Sequence, residues 1–163
     1  MRTQYTFNTD WQFTKPGTEP VPVTLPHTWN AADGTDGGND YFRGTCTYTK
    51  EFSAPDHADD EEVWLEFEGV AMTAVIALNG QELARHAGGY SAFRVNLTSA
   101  LAAQNTLTVT VDNSANRTVY PQKADFTFYG GIYRDVHIII VPQMHFALNN
   151  LSLIHISEPT RPY

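Results

Sequence analysis

Between Asp33 and Gly44 the chain reads Asp-Gly-Thr-Asp-Gly-Gly-Asn-Asp-Tyr-Phe-Arg-Gly, a glycine-rich segment dense in hydrogen-bonding side chains. Asp33, Asp36 and Asp40 suggest a calcium loop, but the ligand spacing and the closing Glu of an EF-hand are missing. A flexible loop lying near a ligand cleft fits the segment better. Asn39, Asp40, Tyr41 and Arg43 could reach a sugar from a loop beside a cleft, and a purely structural turn would use the same residues. Reactive types are sparse elsewhere. Asp59-Asp60-Glu61-Glu62 reads as solvated loop between strands. Cys46 is the one cysteine, so no intrachain disulfide forms, and it reads as a small buried apolar residue. His27 and the nearby Trp29 follow Pro26, which fixes the backbone and pushes Leu25 to an extended conformation. His27 reads as a packing or hydrogen-bonding residue, Trp11 and Trp64 as core, and Trp29 as core or sugar platform equally. No metal and no cofactor is expected.

The elements that must carry these residues are short and turn-bounded. Val63, Leu65 and Phe67 alternate with Glu66 and Glu68, and Leu107, Val109 and Val111 alternate with threonines, the period of two of a half-buried strand. Thr73 to Leu78 meets Asn79-Gly80, the strongest short hairpin signal, with Gln81 to His86 returning. Phe93, Val95 and Leu97 alternate inward again. Tyr133 to Val141 carries the run Ile138-Ile139-Ile140, which predicts a strand buried on both faces at the seam with a following domain. Thr98 to Gln104 is the one helical candidate. Roughly nine or ten strands with frequent turns make an all-β protein, a β-sandwich of jelly-roll type.

Composition narrows the class of partner. A length of 163 residues is one domain with a real core, and 42% hydrophobic against 17% charged residues excludes a disordered chain. The net charge of -8 argues against nucleic acid and against an anionic membrane surface. A neutral sugar is unaffected by that charge. The first residues lack the apolar core of a signal peptide, and no apolar run approaches a membrane span, so a cytoplasmic location is expected. The last thirteen residues, Leu151 to Tyr163, resemble a translated sequencing adapter through Arg161. The natural domain is therefore expected to span 1–150, with 151–163 an artefactual tail and the gene continuing beyond Asn150.

Seven blocks in order carry a family resemblance: Asp10-Trp11-Gln12-Phe13, Val23-Thr24-Leu25-Pro26-His27-Thr28-Trp29-Asn30, Phe67-Glu68-Gly69-Val70, Leu78-Asn79-Gly80, His86-Ala87-Gly88-Gly89-Tyr90, Val111-Asp112-Asn113-Ser114, and Asp125-Phe126-Thr127-Phe128-Tyr129-Gly130-Gly131-Ile132-Tyr133-Arg134-Asp135-Val136. In order and spacing they resemble the N-terminal sugar-binding domain of family 2 glycoside hydrolases, which is galactose-binding-domain-like, and most closely the bacterial β-galactosidases.

The resemblance implies a role for Asp125, which stands six residues before Gly131, where the family places an acid that reaches into a neighbouring barrel and binds the sugar. A carboxylate can accept two sugar hydroxyls in charge-assisted hydrogen bonds. Phe126, Phe128 and Tyr129 would form an apolar wall beside it, and a loop aspartate capping a turn is the other reading. Arg134 and Asp135 read as an ion pair or interface contact. Some relatives add an Asn before the strand that here begins near Thr45. Arg43 stands there and Asn39 lies four positions away, so the second sugar contact stays open. The implied partners are a β-galactoside or related glycoside and a catalytic (β/α)₈ barrel of the same chain, with room for a homo-oligomer. Such a barrel takes about 250 residues and holds both catalytic glutamates, so this chain alone is expected to be inactive. A free-standing carbohydrate-binding module and a purely structural sandwich are the alternatives.

Overall fold

The computed structural model describes residues 2–31, 41–120, 127–145 and 148. Twelve strands occur among them: β1 (Thr3–Thr6), β2 (Trp11–Thr14), β3 (Val21–Val23), β4 (Thr45–Ser53), β5 (Glu61–Phe67), β6 (Val70–Ala71), β7 (Thr73–Leu78), β8 (Gln81–Ala87), β9 (Phe93–Asn96), β10 (Gln104–Asp112), β11 (Gly131–Ile132) and β12 (Val136–Pro142). One sheet has the order β1-β12-β5-β9 and the other β3-β2-β4-β10-β7-β8, with every pairing antiparallel. A two-stranded ribbon, β11-β6, is the third sheet and is also antiparallel. The all-β sandwich expected from the alternation is what the chain forms.

The period-two segments build the core as their patterns require. Val63, Leu65 and Phe67 of β5 and Leu107, Val109 and Val111 of β10 are fully buried, while Thr106 is exposed and Thr108 and Thr110 half-buried on the opposite face. Each such aliphatic side chain contributes about 1.5–3 kcal/mol by leaving water. Trp11 and Tyr48 are also fully buried, and the Trp11 indole donates to the Phe7 carbonyl at 2.8 Å, so its polar edge is satisfied. Asn79 and Gly80 form the two-residue turn between Leu78 and Gln81, both with positive φ, of 52° and 82°. That is the backbone a type I′ hairpin requires.

Three expectations change. The helical candidate shrinks to a 3₁₀ turn at Thr98–Ala100, because Leu101 is already extended and β10 begins at Gln104. The strand expected from Tyr133 starts at Val136, since Gly131–Ile132 first pairs with β6. The isoleucine run is buried on both faces, as its continuous apolar pattern predicts, and within this chain. Ile138 and Ile140 enter the core, while Ile139 sits on the outer face and is fully buried within this chain. There the chain folds back after β12. Gln143 N donates to the Asp60 carbonyl at 2.7 Å, His145 packs edge-on against Trp64, and Arg94 donates to the Leu148 carbonyl while pairing with Glu66. Trp64 is therefore an outer-face residue, with its indole on Glu62 at 2.8 Å, and not part of the sandwich core.

Candidate functional site

The site lies at the end of the sandwich where β4 begins and β10 stops, at the pair Thr45 and Asp112. Beyond that pair the sheet ladder is exhausted, and side chains must hold the loops. His27 N donates to the Ile132 carbonyl at 2.8 Å, and the Thr28 hydroxyl donates to the Gly130 carbonyl at 2.7 Å. This approach demands glycine twice. A Cβ on Gly130 would sit 2.0 Å from the Trp29 ring, and one on Gly131, whose φ is +135°, would sit 2.4 Å from the His27 carbonyl oxygen. Trp29 stacks on Phe13 at 5.9 Å and donates to the Phe42 carbonyl at 3.3 Å, so it is core and not a platform. His27 Nδ1 meets the Tyr48 hydroxyl at 2.8 Å. Burial lowers the His27 pKa and raises that of Tyr48, so both stay neutral at pH 7.

Two buried amides join the loops. Asn30 is 1% exposed and Asn113 fully buried. Asn30 Oδ1 accepts from Gly130 N at 2.7 Å and from Asn113 Nδ2 at 3.2 Å, while its Nδ2 donates to the Phe42 carbonyl at 2.9 Å. Asn113 Oδ1 accepts from Gly44 N at 2.9 Å, and its Nδ2 also donates to the Phe128 carbonyl at 2.9 Å. Above them Arg43 Nε donates to the Asn113 carbonyl at 2.8 Å, and its guanidinium lies 4.7 Å from the centre of the Phe128 ring. Next door, burial pushes the Asp112 carboxyl up, but hydrogen bonds from Ser114 and Thr45 and the Arg43 charge outweigh it, leaving the pKa below the usual value.

Beside this network is a pocket of about 300 Å³ walled by Met72, Tyr90, Phe128, Tyr129 and Tyr133. Tyr133 donates its hydroxyl to the Gly89 carbonyl, and burial raises its pKa. Tyr90 and Tyr129 are half exposed or more and offer aromatic faces with free edges. The pocket is apolar with hydroxyls at its rim, a surface suited to a sugar ring or to a packed protein segment.

Of the residues expected at a site, Asn39, Asp40 and Asp125 lie outside the described residues, as do Phe126 and 151–163. Arg43 is described, and its guanidinium is bound to Asn113 and Phe128. Phe128 lies under that guanidinium and is half-buried, so it is not an open platform. Arg134 and Asp135 do not pair with each other. Arg134 lies over the Tyr133 ring at 5.6 Å, and Asp135 Oδ1 accepts from Asn8 at 2.8 Å. Among the described residues Glu68, Asp135 and His137 place donor atoms within 4.8 Å of one another. Three donors fall short of a calcium shell, Asp135 is committed to Asn8, and buried His137 Nδ1 lacks the partner that orients a metal-binding imidazole. The sequence reading assigned no role to Asn30 and Asn113. Asn30 closes the block that begins at Val23, while Asn113 stands inside the polar run Asp112-Asn113-Ser114, so neither is marked out by its neighbours.

An antiparallel sandwich that gathers aromatic loops at one end has the build of a galactose-binding-like domain. The family model described as glycosyl hydrolase 2 galactose-binding domain-like matches residues 39–147, and the chain belongs to that family. A putative β-glucuronidase of Formosa agariphila is 32% identical over 96% of this chain and 20% of its own length. A Bacteroides uniformis β-glucuronidase structure is 35% identical with a TM-score of 0.81, over 92% of this chain and 19% of that one. A putative β-galactosidase structure from Bacteroides fragilis is 34% identical with a TM-score of 0.77, over 87% and 24%. The chain thus spans about a fifth of the relatives it matches.

Proposed function

We propose that this domain frames the sugar for a catalytic barrel carried in the same protein, in a retaining β-glycosidase whose substrate is a β-galactoside or β-glucuronide. The observation that carries this is that Phe128, which walls the aromatic pocket together with Tyr129 and Tyr133, also lies under the Arg43 guanidinium, so the pocket edge and residues 42–44 meet at one end of the sandwich. Asn39, Asp40 and Asp125 stand three or four positions from Arg43 and Phe128 in sequence, which supports giving them the sugar hydroxyls. The barrel would supply two carboxyl groups about 5–5.5 Å apart, one as acid/base and one as nucleophile. Arg43 would act on the sugar through its own spare N–H donors or only by shaping the rim. The free-standing module has less support, because Phe128 is covered by Arg43.

The test is Asp125→Ala in the complete enzyme, assayed on chromogenic β-galactoside and β-glucuronide. A rise in KM or fall in kcat of at least about tenfold, with circular dichroism unchanged, is expected for loss of a charged sugar contact. Unchanged kinetics on both substrates would reduce the domain to a scaffold.

A further inference from the structure

We propose that Asn30 and Asn113 are positioning residues for substrate binding, locking Arg43 and the Phe128–Tyr129 edge into one geometry; the inference rests on the sugar-framing reading above. Five hydrogen bonds run through the two side-chain amides, and they tie residues 42–44 to residues 128–130, segments that no sheet ladder joins. Each amide must donate on one side and accept on the other. Aspartate lacks the donors, serine is too short, and glutamine adds a methylene to a site without space. Buried amides cost free energy unless every group is paired, and here they are paired with loop backbone. Stability alone would be served by apolar side chains at this end. What a directional pair adds is a single relative placement of two loops. That placement sets Arg43 over Phe128 at the edge of the pocket walled by Phe128 and Tyr129.

The variants separate this from a general folding role. Asn113→Asp keeps the acceptor for Gly44 N but loses both donor contacts, those to Asn30 and Phe128. Asn30→Ala frees Gly130 N and the Phe42 carbonyl. Asn30→Asp is the conservative variant, which keeps both acceptor contacts and loses one donor. In this chain, amide exchange of Gly44 and Gly130 is followed by NMR against Val109 as core reference. In the complete enzyme, KM and kcat are measured with active-site titration. Asn113→Asp and Asn30→Ala should raise KM about tenfold with kcat per titrated site changed less than about threefold, and Asn30→Asp, which keeps the tie to Gly130 N, should raise KM less than Asn30→Ala does. Faster loop exchange with unchanged KM would overturn the proposal, as would a loss confined to the titratable fraction or failure of all three variants to fold. Asp125→Ala run alongside tells which reading failed. If it raises KM while the asparagine variants do not, positioning fails alone; if neither does, the sugar-framing reading has failed as well.

Discussion

Gly131 gives a direct measure of how tightly the site end is closed. Its φ of +135° is one that side chains rarely adopt, and an added Cβ would lie 2.4 Å from the His27 carbonyl oxygen and 2.9 Å from the Tyr48 hydroxyl. Gly131→Ala must therefore strain the backbone or push apart the 27–29 and 130–132 segments, breaking the His27 to Ile132 hydrogen bond. Backbone strain of this kind costs about 1–3 kcal/mol and overpacking about 1–3 kcal/mol, which places the loss near 3–5 kcal/mol. For a chain of this size that is a fall in Tm of roughly 6–20 °C. Gly17→Ala is the matched control, because Gly17 also has positive φ, +78°, but nothing lies within 4 Å of its added Cβ. It should lose only about 1–2 kcal/mol, the left-handed penalty alone. Urea unfolding followed by tryptophan fluorescence gives both values. Equal losses for the two variants would mean that the close approach of residues 27–29 to 130–132 contributes nothing, and the account of this end would be wrong.

Mild acid should weaken the fold through two histidines. Burial lowers the pKa of His27 and of His86, so the unfolded chain binds protons first. Stability contributed by the neutral rings is present above the unfolded value near 6.5 and is lost as pH falls through it towards the folded values. The urea midpoint should fall between pH 8 and pH 5, and His27→Gln should flatten that slope; an unaltered slope would remove His27 from the account. Cys46 is 1% exposed with its thiol pushed up to about 11, so a thiol reagent should react only after denaturant is added. Rapid labelling of the native chain would place that thiol elsewhere. The purified chain should show no turnover of chromogenic galactoside or glucuronide, and any measurable hydrolysis that copurifies with it would oppose assigning the chemistry to a separate barrel.

The sandwich was legible because alternation records its own answer. Leu107, Val109 and Val111 against Thr106, Thr108 and Thr110 state which face is buried without reference to the rest of the chain. Asn79-Gly80 was legible for the same local reason. Ile139 shows where such reading stops. Its pattern announced burial on both faces, and the residue is buried, but local pattern does not say which segment covers the outer face. Asn30 and Asn113 were harder still. They are 83 positions apart and their bond depends on where two unrelated loops end, so no periodicity reports it. Adjacency in sequence did not make Arg134 and Asp135 an ion pair, since the chain bends at Arg134 between β11 and β12, leaving Arg134 over the Tyr133 ring and Asp135 on Asn8.

The division between ladder and amide network bears on what the domain can specify. Relatives named for glucuronides and for galactosides share this sandwich, so the strand framework cannot by itself select the sugar. On the sugar-framing reading, selection would come from side chains at the rim or from the proposed catalytic barrel. Rim side chains discriminate only if their backbone is held, because a loop free to move by an ångström yields to either substrate. The framework ends at Thr45 and Asp112, and what holds the backbone beyond them is the Asn30–Asn113 pair and the glycines that let Trp29 and His27 close in. A rigid end on a generic sandwich lets loop sequence alter specificity without disturbing the core. Exchanging the 32–40 and 121–126 segments between relatives while retaining Asn30, Asn113, Gly130 and Gly131 should therefore preserve folding, and any change in sugar preference would then be traceable to the exchanged residues.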